Sequence, residues 1–532
     1  MKRSTSTMKR FLAGCLLVSL LGSSCTKLLD KGPDFVTPDT YFNTEDQLMN
    51  SLNGVYNRMI DTYGRMYSRG LFSYLVVSDE AFFKNISINN LRVNVMDAAD
   101  LDISRVWEIP YEGINRANLL LENVDRVNMD TRQRDAIKGE ALFMRGYYYY
   151  LLADLFGPVP LKLTSTQSAN DAYLPRSPLA DVYAQIVSDM KQAEELVNEI
   201  DYFKYNERIS KTGVQAMLAR VFLKMAGEPL KDLSKYEEAL TYANKVIQSG
   251  KHSLNTNFKQ IFINHSQDIN ETKECIWEVG MYGNKIGNID QAGWVGVENG
   301  IECPDESIGY SGGAMRTTAK LYDLFGTKDT IRRDWSIAPY KFVTASGVTS
   351  KSNFTAIQIY DRNPGKWRRE YETGTKARSY NSTNFPMIRY SDVLLMKAEA
   401  ENYVHGATAE AYEAINMVRR RGFGKPVDAP DVDADVPAGL DQVEFQEFLQ
   451  NERLRELCFE GIRKHDLIRW GLYVSVMNEL GNTISTTAPT SPTNYRSYAG
   501  NAGKNVTARN VLFPIPNTEI TVNKLVYQNP GW

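Results

Sequence analysis

The sequence predicts a mostly α-helical protein, a scaffold of helix pairs with a large irregular, loop-rich region and few short strands. Apolar residues recur at helical spacing in several segments, most of which end at Gly or Gly-Pro. Two other stretches, residues 61–107 and 251–386, show little helical period and are rich in Gly, Asn, Ser and aromatic residues. The second is far longer than a connecting loop, so we expect it to hold its own irregular structure.

The predicted helices come in pairs along the chain. Small residues and large aromatic residues recur at i, i+3, i+4 and i+7 within each pair, a pattern similar to tetratricopeptide repeats. The helix lengths vary too much for a perfect array, but a stack that buries one continuous core is expected. Turns are expected at Gly157-Pro158, Gly250 and Gly422. The predicted helices span residues 113–127, 132–156, 179–198, 212–226, 236–249, 388–404, 407–421 and 443–459.

The N-terminus is typical of an export signal. An apolar stretch at 11–21 follows basic residues and leads through small residues to Cys25. The stretch is too short to span a bilayer. A Cys in this place is the acceptor pattern of bacterial lipoproteins, so we predict a signal peptide at 1–24 and lipidation of Cys25. An ordinary cleaved signal is the alternative, and Cys15 fits the acceptor motif better but has almost no apolar region before it.

The rest of the chain, 25–532, is predicted to be one domain. No later apolar run approaches ~18 residues, so a lipid would be its only membrane anchor. Its predicted parts are a helical scaffold at about 108–250 and 387–475, a variable ligand region at about 61–107 and 251–386, and a C-terminal tail at 476–532.

Charge and motifs exclude several classes of function. The formal net charge is −3, and the signal peptide is basic, so the remaining chain is more acidic and offers no surface suited to nucleic acid. The histidines are widely spaced and CxxC is absent from the sequence, so no zinc site is predicted. Cys275 and Cys303 are the one plausible disulfide pair in an exported chain, and whether they pair stays open.

Several blocks of sequence resemble one known family, the SusD/RagB family. They occur in that family's order and together span nearly the whole chain. The blocks are EALFMRGYYYY at 140–150 with LFGPVPL at 155–161, residues 176–196, residues 211–225, IRYSDVLLMKAEAE at 388–401 with INMVRRR at 415–421, ERLRELCFEGIRKHDLIRWG at 452–471, LFPIPNTEI at 512–520, the ending QNPGW at 528–532, and CTKLLD at 25–30.

This resemblance implies a tetratricopeptide-like scaffold with a variable loop-rich region and no catalysis. Members of the family are lipoproteins on the outer surface of Gram-negative, Bacteroidetes-type bacteria. They lie over a TonB-dependent, SusC-like transporter and bind oligosaccharides or, in some members, peptides. Residues 251–386 match least, and family members differ most there. The resemblance therefore implies the role and leaves open the identity, linkage and length of the ligand.

Three local patterns resemble functional sites. Gly309-Tyr310-Ser311-Gly312-Gly313 fits the G-x-S-x-G motif, but the strand and helix that a nucleophile elbow needs are not predicted around it. The charged residues between 452 and 469 favour an ion-pair network over an acid–base site. Asp431, Asp433 and Asp435 have calcium-loop spacing, but the loop's usual Gly and Glu are missing. Apart from this weak Ca²⁺ pattern, no cofactor is predicted.

The predicted ligand site rests on aromatic residues in the loop-rich region. A sugar ring has an apolar face that stacks on a flat aromatic ring and a rim of hydroxyls that polar groups can bind. Trp294, between two glycines, is the leading candidate for that ring. The other predicted ligand-binding residues are Tyr282, Tyr310, Asp290, Tyr67, Asp79, Phe83 and Asn85, with Asn284, Asn288 and Gln291 as further polar groups.

The leading hypothesis is capture of a glycan for import. Peptide capture on the same scaffold is the nearest alternative, and an acidic or strongly apolar pocket would favour it. A surface glycoside hydrolase needs two carboxylates about 5 to 10 Å apart, for which Asp290, Glu298 and Asp305 are the candidates. A purely structural scaffold would lack a concave aromatic patch.

Overall fold

The computed structural model describes residues 41–60, 66–84, 90–281, 293–486 and 495–532, which are mostly helical. The predicted fold class is therefore confirmed. The helices are α1 Glu45–Tyr56, α2 Gly70–Leu75, α3 Leu101–Asn123, α4 Thr131–Phe156, α5 Leu179–Leu196, α6 Lys211–Ala226, α7 Lys235–Gln248, α8 Phe258–Gln267, α9 Val295–Glu298, α10 Ala319–Leu324, α11 Thr330–Ser336, α12 Tyr390–His405, α13 Ala409–Gly422, α14 Gln442–Leu457, α15 Arg463–Arg469, α16 Tyr473–Thr486, α17 Tyr495–Lys504 and α18 Asn517–Val522.

The strands are short and pair in twos. β1 pairs with β3, β2 with β6, and β4 with β5, all antiparallel. The strands are β1 Ala81–Phe83, β2 Cys275–Val279, β3 Met315–Thr317, β4 Tyr340–Ala345, β5 Val348–Asn353 and β6 Phe385–Arg389. The predicted signal peptide and Cys25 lie outside the described residues. Among the helices of the described ranges, none is long and apolar enough to cross a membrane.

The scaffold helices stack in chain order. α1 packs on α3, and each helix from α3 to α7 packs on the next. α12 follows α7 in the stack and has α13 and α14 beside it. Most of the buried apolar side chains from α3 to α14 belong to one cluster, as expected for helix pairs that cannot bury their apolar faces alone.

The chain between α7 and α12 is inserted into this stack. Tyr236 of α7 and Tyr403 of α12 stack with ring centroids 3.9 Å apart, although the whole inserted stretch separates them in sequence. The predicted irregular region 251–386 falls within this insertion. It is less irregular than predicted, because it contains α8 to α11 and most of the strands, elements too short to show a clear period.

α4 is buried on nearly every side. The four tyrosines Tyr147 to Tyr150 are at most 7% exposed, so their predicted role in the core is confirmed. Asp130 caps the helix by accepting a hydrogen bond of 3.0 Å from the Gln133 backbone N–H. Gly157 ends it with φ +75°, a conformation that costs glycine little.

Two predicted helix ends are wrong. α3 begins at Leu101 rather than at 113, with Asp100 accepting from the Asp102 backbone N–H at 2.9 Å and Pro110 inside the helix. Packing of α3 along α4 outweighs the local preference of proline. Gly422 is the last helical residue of α13 and not a turn residue.

Gly422 is instead required for packing. A Cβ atom there would lie 2.8 Å from Cζ of Arg332, so only glycine lets this arginine lie against the end of α13. The predicted turns at Gly157 and Gly250 are present, each with positive φ.

Arg332 belongs to a buried ion network that joins the insertion to the scaffold. Glu456 of α14 accepts hydrogen bonds from Arg332 at 3.0 Å, from Arg389 at 2.9 Å and from Arg421 at 2.6 Å. All four side chains are at most 1% exposed. Because charges removed from water must be paired, this network fixes α11, β6, α13 and α14 relative to one another.

The structural interpretation of the charged residues between 452 and 469 is thus confirmed. Most of their partners lie on other elements, and Glu452–Arg455 is an ion pair of the predicted i, i+3 type. The longer-range pairs are Glu452 with Arg332 and Arg419, Glu460 with Lys366 and Arg389, Arg453 with Asp392, Arg469 with Glu399, and Arg463 with Asp79.

We expect Glu456→Gln to lower the free energy of unfolding by about 3 to 5 kcal/mol, because it leaves three buried arginines without their shared carboxylate. The measurement is urea or thermal unfolding followed by circular dichroism. Glu447→Gln is the matched control, since Glu447 is exposed on the same helix, and it should change stability by less than about 0.5 kcal/mol. Equal effects of the two variants would contradict the assigned role of Glu456.

The network also predicts how stability depends on pH. Burial by itself raises the pKa of Glu452, but the charges of Arg332, Arg419 and Arg455 outweigh it and lower that pKa to about 2. In the unfolded chain a glutamate titrates near about 4.3. The stabilisation is therefore complete above that pH and is lost as the pH falls towards about 2.

We expect the melting temperature to fall steeply between about pH 4 and pH 2, as measured by thermal unfolding in a series of buffers. Glu452→Gln should flatten that part of the curve. The same slope in the variant and the unchanged protein would contradict a low pKa for this carboxyl group.

Candidate functional site

Trp294 lies at the surface of the insertion, immediately before α9. Its side chain is half-buried, and its backbone N–H donates to the Ser68 carbonyl at 2.8 Å. The Tyr380 ring meets the indole edge-on, with centroids 5.4 Å apart. The Arg69 guanidinium carbon lies 4.4 Å from the indole centroid, and the Arg69 side chain is 40% exposed. The indole is thus held beside a cation that solvent can reach.

A second aromatic and arginine pair has the same character. The Tyr310 side chain is half-buried, and the guanidinium carbon of Arg378 lies 4.3 Å from its ring centroid. The Arg378 side chain is 63% exposed. Each pair therefore offers an aromatic ring next to a cation at the surface.

Arg369 connects the loops that carry these rings. It is buried, forms two hydrogen bonds of 2.8 and 3.0 Å to Glu372, and donates to the carbonyls of Tyr310 and Tyr380. The loop of Trp294 reaches the same arginine, because a Cβ at Gly296 would lie 2.9 Å from its Cγ.

Glycine is required again in the loop of Tyr310. Gly309 has φ +129°, and a Cβ there would lie 2.5 Å from Cβ of Arg369. The three loops therefore close on one buried side chain, which brings Trp294, Tyr310 and Tyr380 into one region. We call these three residues the aromatic cluster.

A second candidate site is a cleft of about 630 Å³. Met281 lines it, and a Cβ at Gly293, the residue before Trp294, would lie 2.9 Å from the Met281 side chain, so the cleft lies near the aromatic cluster. Tyr56 and Trp277 give the cleft an aromatic wall. The charged residues that line it are Glu207, Arg208, Asp268 and Glu278; we call it the acidic cleft.

Electrostatic repulsion is visible in the acidic cleft. The pKa of Glu207 is raised to about 7, first by burial of the carboxyl group and second by the negative charge of Glu278. A cationic group bound there would relieve this repulsion. No sequence pattern marks the cleft, because its lining comes mainly from α1 and the residues after it, from the turn before α6 and from β2, which lie far apart in the chain.

Three predicted ligand residues are buried and do not lie at the surface of the described structure. Tyr67 is 4% exposed and shares a hydrogen bond of 2.5 Å with the Tyr147 hydroxyl. Asp79 is fully buried in an ion pair of 2.8 Å with Arg463. Phe83 is 2% exposed beneath Arg92. These residues looked like loop residues in sequence, but the scaffold covers them.

The structure brings two predicted binding residues, Trp294 and Tyr310, together with Tyr380. Tyr380 was not predicted, because no pattern in residues 372–384 distinguishes it. The predicted residues that lie outside the described ranges are Tyr282, Asp290, Asn85, Asn284, Asn288 and Gln291.

Within the described residues, the structure does not support the patterns considered as catalytic. Ser311 of the G-x-S-x-G motif is 2% exposed and donates its hydroxyl hydrogen to the Val297 carbonyl at 2.8 Å, so it is no exposed nucleophile. Glu298 is held by Arg69 at 2.9 Å and by Arg92 at 3.5 Å. The Glu298 carboxylate is thus engaged by two guanidinium groups and takes part in a structural ion-pair arrangement.

The acidic run after α13 is engaged by basic side chains, and Ca²⁺ binding there stays a prediction. The ion pairs are Asp431 with Lys425, Asp433 with Lys328, and Asp435 with Arg420. The suggested disulfide is not formed, since Cys275 and Cys303 are both buried free thiols. Cys275 lies instead beside His265 and Glu278, which together could hold a metal ion.

Two family models match separate parts of this chain. The model of the SusD family matches residues 340–532, and a second model, of starch-binding proteins associating with the outer membrane, matches residues 27–223. This chain belongs to the SusD/RagB family. The two matches leave out residues 224–339, which hold Trp294, Tyr310 and most of the insertion.

Relatives of known sequence or structure agree with the assignment. SusD-like protein P2 of Formosa agariphila is 24% identical, over 97% of this chain and 98% of its own. A SusD homologue from Bacteroides thetaiotaomicron, solved as a crystal structure, superposes with a TM-score of 0.84 at 29% identity, covering 94% of this chain and 100% of that one. A laminarin-binding SusD-like protein has a TM-score of 0.71 at 22% identity, covering 92% and 100%.

Proposed function

We propose that this protein is a cell-surface lipoprotein that captures an oligosaccharide or polysaccharide and delivers it to a TonB-dependent, SusC-like transporter in the outer membrane. The observation that carries the proposal is the aromatic cluster with Arg69 and Arg378 beside it. Aromatic rings stack on the C–H face of a sugar ring, and exposed guanidinium groups donate hydrogen bonds to its hydroxyls.

The rigidity of the cluster supports this role. Arg369 donates hydrogen bonds to the backbone carbonyls of Tyr310 and Tyr380 and so fixes their loops. Little conformational entropy would therefore be lost when a ligand binds. The family relationship supports the location, because the model that matches residues 27–223 describes association with the outer membrane. The starch named by that model and the laminarin named for the structural neighbour support a carbohydrate ligand.

We propose binding without catalysis. Of the carboxylates considered for hydrolysis, Glu298 is paired with two arginines. Asp305 accepts hydrogen bonds from the hydroxyl and backbone N–H of Ser307, and these lower its pKa. The lowered pKa of Asp305 favours its ionised form over the proton donor that glycoside hydrolysis needs.

Peptide capture is the second candidate, and the acidic cleft favours it. Glu207, Asp268 and Glu278 outnumber the single Arg208 there, so a peptide with Lys or Arg side chains would relieve the repulsion between the carboxylates. The two candidates use different surfaces, which allows them to be separated by substitution.

We expect Trp294→Ala to weaken glycan binding about tenfold or more, because stacking on one aromatic ring contributes on the order of 1 kcal/mol beyond buried area. The ligand is first selected on a glycan array, and affinity is then measured by isothermal titration calorimetry. Tyr202→Ala, which removes an exposed aromatic ring from the scaffold, is the control and should bind normally.

Glu207→Gln separates the two candidates. It should leave glycan binding unchanged, whereas weaker binding of a lysine-rich peptide in this variant would favour peptide capture. A Trp294→Ala protein that melts early but binds glycan normally at lower temperature would show that the indole only packs.

We expect Cys25→Ala to move the protein from the membrane fraction to the soluble fraction, because the proposed lipid would be its only anchor. The measurement is fractionation of cells followed by immunoblotting, with Cys15→Ala as the matched control. Unchanged membrane association of the Cys25 variant, or loss of it in the Cys15 variant, would contradict the assignment of Cys25.

A further inference from the structure

Three side chains with different metal-binding chemistry meet behind the acidic cleft. His265 comes from α8, and Cys275 and Glu278 come from β2. Their ligating atoms all lie within 4.8 Å of one another. Glu278 Oε2 is 3.3 Å from Cys275 Sγ and 3.4 Å from His265 Nε2. All three residues are at most 3% exposed.

An irregularity of β2 makes this arrangement possible. In a regular strand, residues three apart point to opposite faces. The pairing of β2 with β6 shifts register between Cys275 and Trp277 and again between Trp277 and Glu278. Such irregularities re-aim side chains and are frequent beside functional sites. Here Cys275 and Glu278 end up on the same side, facing α8.

The groups around the cluster hold it in place. Asn384 donates from its side chain to Glu278 Oε1 at 3.0 Å and from its backbone to the His265 carbonyl at 3.4 Å. This leaves Glu278 Oε2 directed at the thiol and the imidazole. Nε2 is the ring nitrogen of His265 that faces Glu278, so a metal ion would bind there.

We propose that His265, Cys275 and Glu278 form a binding site for a divalent, Zn²⁺-type metal ion. Zinc bonds of about 2.3 Å to sulfur and about 2.0 to 2.2 Å to nitrogen and oxygen place tetrahedral ligands roughly 3.4 to 3.6 Å apart. The two separations at Glu278 Oε2 are 3.3 and 3.4 Å. The ion would thus enter with little movement of the side chains.

The charges balance when the ion binds. Cys275 releases its thiol proton to solvent and binds as the thiolate, Glu278 binds as the carboxylate, and His265 binds as the neutral imidazole. The two negative charges neutralise the two positive charges of the ion. Because Glu278 also lines the acidic cleft, the cleft is the entry path, and water from it would complete the coordination.

The sequence predicts no zinc site, and the proposed site lies where no sequence motif marks it. In sequence, His265 and Cys275 do not have the spacing of a zinc motif, and Glu278 carries no signal of its own. Helix α8 and strand β2 bring them together only in the folded insertion. The proposal does not depend on glycan capture, since the aromatic cluster and the metal ligands share no residue.

Co²⁺ titration of the purified, metal-free protein tests the site, because a thiolate ligand gives a charge-transfer absorption band. We expect one Co²⁺ per chain, the thiolate band, and displacement by Zn²⁺. Cys275→Ser should abolish the band and weaken Zn²⁺ binding at least about hundredfold. Cys458→Ser, which alters another buried thiol, is the matched control and should keep both.

A second variant keeps the test decisive if Cys275→Ser folds poorly. Asn384→Ala retains all three ligands and should weaken Zn²⁺ binding about 10- to 100-fold while the thiolate band remains. Circular dichroism establishes that each variant is folded. The proposal is overturned if the unchanged protein gives no thiolate band, or if the band survives in Cys275→Ser.

Discussion

Glu456 accepts hydrogen bonds from three fully buried arginines, and the position of the whole insertion depends on this arrangement. Arg332 comes from within the insertion, Arg389 from its last strand, and Arg421 from the scaffold helix α13. The four charges cannot remain in the interior unless all are paired. The network therefore acts as a single unit, which couples the loop-rich region to the stacked helices.

A buried arginine paired with a carboxylate also fixes the loops nearer the surface. Arg369 is buried, is neutralised by Glu372, and binds the backbone carbonyls of the loops that carry Tyr310 and Tyr380. Buried arginines suit this task, since a guanidinium group has five donors in a fixed plane. The network around Glu456 fixes the insertion on the scaffold, and Arg369 fixes the loops within the insertion. The aromatic rings are therefore held in defined positions.

The aromatic cluster and the acidic cleft differ in chemistry. The aromatic cluster combines rings with exposed cations, whereas the acidic cleft combines aromatic walls with carboxylates. A neutral, hydroxyl-rich ligand suits the first, and a cation suits the second. A metal ion bound by His265, Cys275 and Glu278 would lower the negative charge of the cleft and tie α8 to β2. Metal occupancy would in that way set the charge of one surface without touching the other.

The sequence alone determined the helical scaffold, because periodic apolar residues and terminating glycines act locally, as at α4 and Gly157. It also contained the blocks that carry the family resemblance. It could not show that α7 and α12 are neighbours, that Tyr67 and Asp79 are buried, or that Cys275 meets His265. Those facts depend on contacts between elements far apart in the chain. Only tertiary structure decides them, because an insertion without period carries no local signal of what will cover it.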